Sequence, residues 1–316
     1  MKNRLITLFV LYVACIHMPI SAIQKKGVPI KIGLSMALSG PARDLGERLL
    51  EGIKPVIQDV NREGGVHGRD IQLIIKDDQY KPELTLRNTM DMLQQDQVDL
   101  FFSFVGTPTV TKIVPLLLQS NRKLFFPFTG AQALRSSLLS NFVFNNRASY
   151  WNETQALVDH LVAQGKTKIA IFYQHDSFGQ DGRIGAIKAL RKHDLKPAIS
   201  VNYRRSQFNT KEAEIATSII QDAQSDAVIC IAKHVVSAKL IRAIREKSNI
   251  PIANISFADP VDLVKMLKED EKSLKREQVT SHLIHSIVVP YDKVIQAIGH
   301  FDPIAYEGQT NTKLLI

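Results

Sequence analysis

The stretch Ile30-Lys-Ile-Gly-Leu-Ser35 is a short apolar run that predicts a β-strand. Apolar residues then recur near the helical period of 3.6 over residues 45–60, which predicts an amphipathic helix. Gly64-Gly65 ends that helix, and Ile71 to Lys76 predicts the next strand. A strand, a helix and a second strand in this order indicate a parallel sheet with right-handed crossovers.

The same alternation continues along the chain in both directions from this unit. Further strands are predicted at residues 99–105, 124–128, 142–145, 168–173, 197–203, 226–232, 251–256 and 283–289. So many strands are unusual for one sheet, so we predict an α/β fold of two doubly wound parallel-sheet lobes joined by a hinge. Ligands of open α/β sheets bind at the carboxyl ends of the strands, so the cleft between the lobes is the predicted site.

The boundaries between the lobes are predicted from where the strand pattern pauses. Crossings are expected near Arg147–Asn152 and near Ser256–Pro260, with Val289–Asp292 as a third. Lobe 1 then comprises residues 28–147 plus 260–316, with an incomplete C-terminal part, and lobe 2 comprises residues 148–259.

Residues 1–22 have the order of a secretory signal peptide. Lys2 and Arg4 precede an apolar run from Leu5 to Ile16, and Ala22 is a small residue at the predicted cleavage position. A membrane anchor and lipid attachment at Cys15 are the alternatives. We therefore expect export to the periplasm.

The charge and the cysteines restrict the function classes. The formal net charge of the 316-residue chain is +9 and falls to +7 without residues 1–22. The positive charges are scattered, so nucleic acid is not an expected partner. Cys230 is then the single cysteine, and its apolar surroundings predict a small buried hydrophobe.

Enzyme and metal motifs do not emerge from the sequence. Gly33-Leu-Ser-Met-Ala37 lacks the second glycine of a nucleophile elbow, and Gly179, Gly182 and Gly185 do not have the dinucleotide spacing. His282 and His285 would point to opposite faces of a strand, which argues against a shared metal. We expect no covalent chemistry, no cofactor and no metal.

Several loop motifs together resemble a known family. They are Ile30 to Pro41, Asn61 to Arg69 with Lys76-Asp-Asp78, Phe104 to Thr109, Pro127 to Ala131, Phe144 to Tyr150, Phe172 to Gly179 and Ile255-Ser-Phe257. Their order and spacing resemble the type I periplasmic binding proteins of branched-chain amino acid (Leu/Ile/Val) ABC transporters. The chain ends soon after Pro303 to Gly308, which resembles the start of a late helix, so a C-terminal truncation is expected.

The resemblance implies a ligand site between the lobes. In the family, hydroxyls and backbone N–H groups of lobe 1 bind the carboxylate of an amino acid, and the matching positions here are Thr107, Phe128, Thr129 and Gly130. Ser39 lies in the first cleft loop. Thr107 and Thr129 could equally cap helices, and Ser39 could serve a turn before Gly40-Pro41.

The second lobe and the first helix supply the remaining candidates. Phe178 and His234 fall near the family's aromatic positions, and Asp259 lies near its acidic position for the ammonium group. Leu45 stands where the family places an aromatic residue. These departures leave the bound solute open.

The resemblance also implies partners. The expected protein is a monomer that binds an amino acid or a similar small polar solute and presents it to an inner-membrane ABC permease. A ligand-sensing module of a signalling receptor, a truncated non-functional relative and an α/β enzyme are the alternatives.

Overall fold

The computed structural model describes residues 27–205, 207–274 and 279–288, with two short strands at 303–304 and 313–315. The first sheet contains β1 (Ile30–Met36), β2 (Ile71–Asp77), β3 (Leu100–Phe102), β4 (Leu124–Phe125) and β5 (Val143–Phe144). Its strands are all parallel and lie in the order β2-β1-β3-β4-β5.

The second sheet contains seven strands. They are β6 (Ile169–Gln174), β7 (Ser200–Tyr203), β8 (Ala227–Ile231), β9 (Ile252–Asn254), β10 (Leu283–Ile287), β11 (Pro303–Ile304) and β12 (Lys313–Leu315), in the order β11-β12-β10-β9-β8-β6-β7. The strands from β10 to β7 are parallel, whereas β12 is antiparallel to both β10 and β11. The predicted fold of two parallel-sheet lobes is therefore confirmed.

Eight α-helices connect the strands in the described part of the chain. They are α1 (Arg43–Arg62), α2 (Pro82–Asp91), α3 (Thr107–Ser120), α4 (Tyr150–Ala163), α5 (Ser177–Arg191), α6 (Thr210–Asp222), α7 (His234–Arg245) and α8 (Pro260–Leu274). Side chains cap three of them: Ser149 with Asn152 at α4, Asp176 at α5, and Asn209 with Glu212 at α6.

The chain passes from the first sheet to the second between β5 and α4, close to the predicted crossing at residues 147–152. The predicted return to lobe 1 at residue 260 is wrong for the described residues. Leu283, Ile284 and His285 of β10 pair in parallel with Ile252, Ala253 and Asn254 of β9, so the segment stays with lobe 2. The third predicted crossing, residues 289–292, lies outside the described residues, as does the predicted signal peptide.

Buried residues form three clusters. One lies in lobe 1 around Phe101 and Phe104, and one lies in lobe 2 around Phe172 and Leu240. The third joins the two lobes, because it includes Leu34 of β1 together with side chains of lobe 2. No helix among the described residues combines the length and the hydropathy needed to cross a bilayer.

Candidate ligand-binding site

Two threonine hydroxyls meet where β3 and β4 end. Gly106 has a φ of 99°, a conformation that favours glycine, and α3 begins immediately after it at Thr107. Thr129 follows the neighbouring strand. Because the carboxyl ends of adjacent parallel strands lie side by side, the Thr107 and Thr129 hydroxyls are brought to 2.6 Å and are both buried.

Thr129 also connects this loop to the start of lobe 2. Its Oγ1 accepts a hydrogen bond from the Ala131 amide at 3.2 Å and lies 3.4 Å from the Tyr150 hydroxyl. The Tyr150 amide donates to the Gly130 carbonyl at 2.8 Å, and the Tyr150 ring packs directly over Gly130. Thr129 therefore ties the loop after β4 to the residues that begin lobe 2, and contact of its hydroxyl with a ligand stays a prediction.

Charged side chains of α1 reach across to lobe 2. The Arg48 guanidinium donates to Asp259 at 2.8 Å and to both oxygens of Asp262 at 2.6 Å. Lys233, which precedes α7, donates to Asp44. The hydrogen bond to Asp262, the largest cause, raises the pKa of Arg48 above its usual value. These pairs hold the two lobes together on one side of the junction.

His234 lies between the same acidic side chains. Its side chain is buried, and its Nε2 is 3.9 Å from Asp44 Oδ2 and 3.9 Å from Asp262 Oδ2. Burial lowers the pKa of His234, and Lys233 lowers it further, against the opposing effect of the acids. The three side chains Asp44, His234 and Asp262 are spaced closely enough to hold a cation, but Lys233 and Arg48 already bind both carboxylates.

A cavity of about 250 Å³ lies between the lobes beside these ion pairs. Lobe 1 contributes Leu45, Arg48, Leu49 and Phe128 to its wall. Lobe 2 contributes Ser256, Phe257, Asp259, Pro260, Val261 and Val288. Most of these side chains are apolar, so the cavity suits a small molecule with an apolar body.

Arg147 completes the wall at the crossing between the lobes. Its side chain is only 6% exposed, and its guanidinium lies over the Phe128 ring, 4.9 Å from the centroid. Nη2 donates to the Ser256 hydroxyl and lies 3.5 Å from the buried Glu153 carboxylate. Nε and Nη1 have no hydrogen-bond partner among the residues that the structure describes.

The nine predicted site residues do not all line the cavity. Leu45, Phe128 and Asp259 line the cavity, while Thr107, Thr129 and Gly130 lie together beside Tyr150. Phe178 is buried against the rings of Tyr150 and Phe257, at centroid distances of 5.2 and 4.7 Å.

The other two candidates are already engaged with neighbours. His234 lies behind the cavity among the acids. The Ser39 hydroxyl donates to Asp77 at 2.5 Å, and so links the loop after β1 to the end of β2 within lobe 1. Ligand contact by each candidate stays a prediction.

Sequence reasoning missed Arg48 and Arg147. Arg147 lies inside the quoted motif Phe144 to Tyr150, so an arginine at a predicted hinge was the available signal. No local signal marks Arg48, because its partners lie 211 and 214 residues further along the chain.

Two parallel-sheet lobes with a cavity at their junction define a two-lobed ligand-binding protein. The sequence matches the family described as periplasmic binding protein over residues 29–263. The chain belongs to this family, and within it to the type I proteins of the branched-chain amino acid family, as the resemblance implied.

Individual relatives agree with this assignment. A curated protein, Leu/Ile/Val-binding protein homolog 3 of Brucella melitensis, is 22% identical over 161 residues, which span 51% of this chain and 43% of that protein. The crystal structure of a possible leucine/isoleucine/valine-binding protein from Rhodopirellula baltica is similar with a TM-score of 0.73 and 30% identity, covering 88% of this chain and 75% of that one. A substrate-binding periplasmic protein from Ralstonia solanacearum has a TM-score of 0.73 and 26% identity, covering 85% and 76%.

Proposed function

We propose that this protein is the solute-binding component of an ABC importer and captures an amino acid or a similar small polar solute between its lobes in the periplasm. The observation that carries the proposal is the cavity of about 250 Å³ with walls from both lobes. A solute enclosed there contacts Leu45 of α1 and Phe257 after β9 at once. Its binding therefore favours the closed arrangement.

The relatives support the same role. The matching proteins of Brucella melitensis and Rhodopirellula baltica carry names of Leu/Ile/Val-binding proteins. The matched region spans less than half of the Brucella protein. Transport through an inner-membrane permease, a monomeric state and periplasmic location are parts of this proposal.

A thermal-unfolding screen of the purified protein against the amino acids and small organic acids tests the proposal. Because a ligand that binds the folded state alone stabilises it, a solute at a hundredfold excess over its Kd adds about 2.7 kcal/mol. We expect a rise in Tm with at least one solute. No rise with any member of the panel would count against a binding role.

Two matched variants locate the binding. Leu45→Trp fills the cavity and should abolish the ligand-induced rise in Tm, because the solute and the indole compete for the same space. Leu138→Trp changes a leucine that is 69% exposed and should leave the rise unchanged. If both variants lost the ligand-induced rise in Tm equally, the solute would not bind in this cavity.

A further inference from the structure

A strained turn after β2 fixes the position of Tyr80. Gln79 and Tyr80 have φ values of 54° and 58°, in the left-handed region that residues with a side chain seldom adopt. The amide of each donates to the carboxylate two residues before it, in Asp77 and Asp78, at 2.9 Å. A conformation of this kind costs free energy and persists where its surroundings determine it, often at a functional position. The two carboxylates therefore hold the backbone of Tyr80 in this conformation.

The Tyr80 side chain is buried between groups of the two lobes. In lobe 1 it lies against Gly106, where an added Cβ would be 2.3 Å from Tyr80 Cε2. In lobe 2 the guanidinium of Arg205 covers the ring, with Cζ 4.4 Å from the centroid, and Nη2 lies 3.5 Å from the Tyr80 carbonyl oxygen. The Tyr80 hydroxyl has no hydrogen-bond partner among the described residues, so the ring and the carbonyl make the contact with lobe 2.

This contact lies at sheet edges that are remote from the crossing between the lobes. Tyr80 follows β2 and Arg205 follows β7, and each is the edge strand of its sheet. The crossing leaves lobe 1 from β5, four strands away from β2, which is about 19 Å when neighbouring strands are about 4.8 Å apart. An opening of the lobes about this crossing therefore separates the ends of β2 and β7 further than groups that lie beside the crossing.

We propose that Tyr80 and Arg205 form a clasp that holds the two lobes together in the protein without solute. The guanidinium is attracted to the face of the ring and shields it from water, and both effects are lost when the lobes separate. The ion pairs of Arg48 act beside the cavity that Arg147 also lines, whereas the clasp acts where opening moves the lobes furthest. The clasp does not depend on the solute-binding role above, so its failure would leave that role standing.

Pulsed electron paramagnetic resonance between two spin labels tests the proposal. Met90→Cys in α2, which follows β2, and Ile184→Cys in α5, which precedes β7, place the labels at exposed positions of the two lobes. Cys230 stays unlabelled, because it is buried and burial raises the pKa of its thiol to about 12. Cys15→Ser removes the other cysteine. The distances between the labels then give the ratio of closed to open protein without solute.

The two members of the clasp should act through one contact. Arg205→Gln should lower the ratio of closed to open protein about two- to fivefold, which is the effect of a cation–π contact at an exposed site. Tyr80→Leu should also lower it, because leucine offers no ring face, whereas Tyr80→Phe keeps the ring and should keep the ratio. Combining Tyr80→Leu with Arg205→Gln should lower the ratio no further than the larger single effect, because both changes remove the same contact.

Arg204→Gln is the matched control, because Arg204 is the exposed neighbour of Arg205 and lines a surface cavity of lobe 2. It should keep the ratio of the unchanged protein. The clasp is wrong if both arginine variants have the same effect, if the unchanged protein is open, or if the combined variant shows the sum of the single effects. A ratio in Tyr80→Phe as low as in Tyr80→Leu would also overturn it. If Tyr80→Leu does not fold, the comparison of the two exposed arginines still decides the question.

Discussion

The guanidinium of Arg48 in α1 binds both carboxylate oxygens of Asp262 in α8, at 2.6 Å each, and so joins lobe 1 to lobe 2. Asp259 binds the same guanidinium at 2.8 Å. All three side chains are partly exposed, at 47%, 21% and 30%, so solvent screens the pairs. Their contribution to the free energy of unfolding is therefore small, on the order of 1 kcal/mol, but the pairs join side chains of different lobes.

Arg48→Gln should consequently shift the protein without ligand toward an open arrangement. We expect a larger radius of gyration in small-angle X-ray scattering, together with a loss of about 1 kcal/mol or less in the free energy of unfolding. Arg43→Gln is the matched control, because Arg43 lies on the same helix and its ion pair in the described part of the chain is with Glu47 of its own lobe. Identical scattering from both variants would show that the Arg48 pairs do not hold the lobes.

The two buried threonines should differ in their effect on stability. Thr129→Val removes the acceptor of the Ala131 amide as well as the bond to Thr107, whereas Thr107→Val leaves Thr129 its contacts with Ala131 and Tyr150. We expect Thr129→Val to lower the free energy of unfolding by about 1–3 kcal/mol, and Thr107→Val by less.

Urea unfolding of both variants measures this order. Thr111→Val is the control on α3, the helix of Thr107, because the Thr111 hydroxyl donates to carbonyls of the preceding turn and is not part of the threonine pair. Thr111→Val should lower the free energy of unfolding by less than Thr129→Val does. The reverse order would mean that the pair contributes little to the junction.

The fold follows from the sequence where the signal is local. Residues 169–173 and 227–232 are continuous apolar runs, and they form most of the buried strands β6 and β8. The approach of Thr107 to Thr129 was also predictable, because both follow neighbouring strands of one parallel sheet.

The other features of the fold and of the candidate site depend on contacts between distant parts of the chain, which no local sequence pattern predicts. Leu283 to Ile287 reads as a strand in either lobe, and only its pairing with β9 decides that it belongs to lobe 2. The partners of Arg48 lie more than 200 residues away. Whether a nitrogen of Arg147 has a hydrogen-bond partner among the described residues depends on what surrounds it in space, so its sequence motif identifies the arginine alone.

Gly130 should not tolerate a side chain. A Cβ at this position would lie 2.7 Å from the Tyr150 ring and 2.9 Å from the Tyr150 amide nitrogen, which belongs to the backbone and cannot rotate away. We expect Gly130→Ala to lower the free energy of unfolding by about 1–3 kcal/mol through this overlap. We also expect Gly130→Ala to bind the solute more weakly, because the segment between β4 and α4 must move to make room for the new methyl group.

Gly52→Ala is the matched control for this substitution. Gly52 lies inside α1 with open space around its Cβ position, so alanine there should raise the free energy of unfolding by about 0.5–1 kcal/mol. In chemical denaturation, we expect the free energy of unfolding to fall in Gly130→Ala and to rise in Gly52→Ala. A neutral Gly130→Ala would mean that the Tyr150 ring is free to shift.

His285 should make the protein sensitive to acid. Burial lowers its pKa to about 4, against an ordinary value near 6.5, so between these values the unfolded chain binds a proton that the folded chain does not. The free energy of unfolding should therefore fall by up to about 1.4 kcal/mol per pH unit as the pH drops from 6.5 toward 4, and level off below. Urea unfolding at several pH values should show a shallower slope in His285→Gln. The exposed His175→Gln should keep the slope of the unchanged protein, and equal slopes in all three would contradict the assignment to His285.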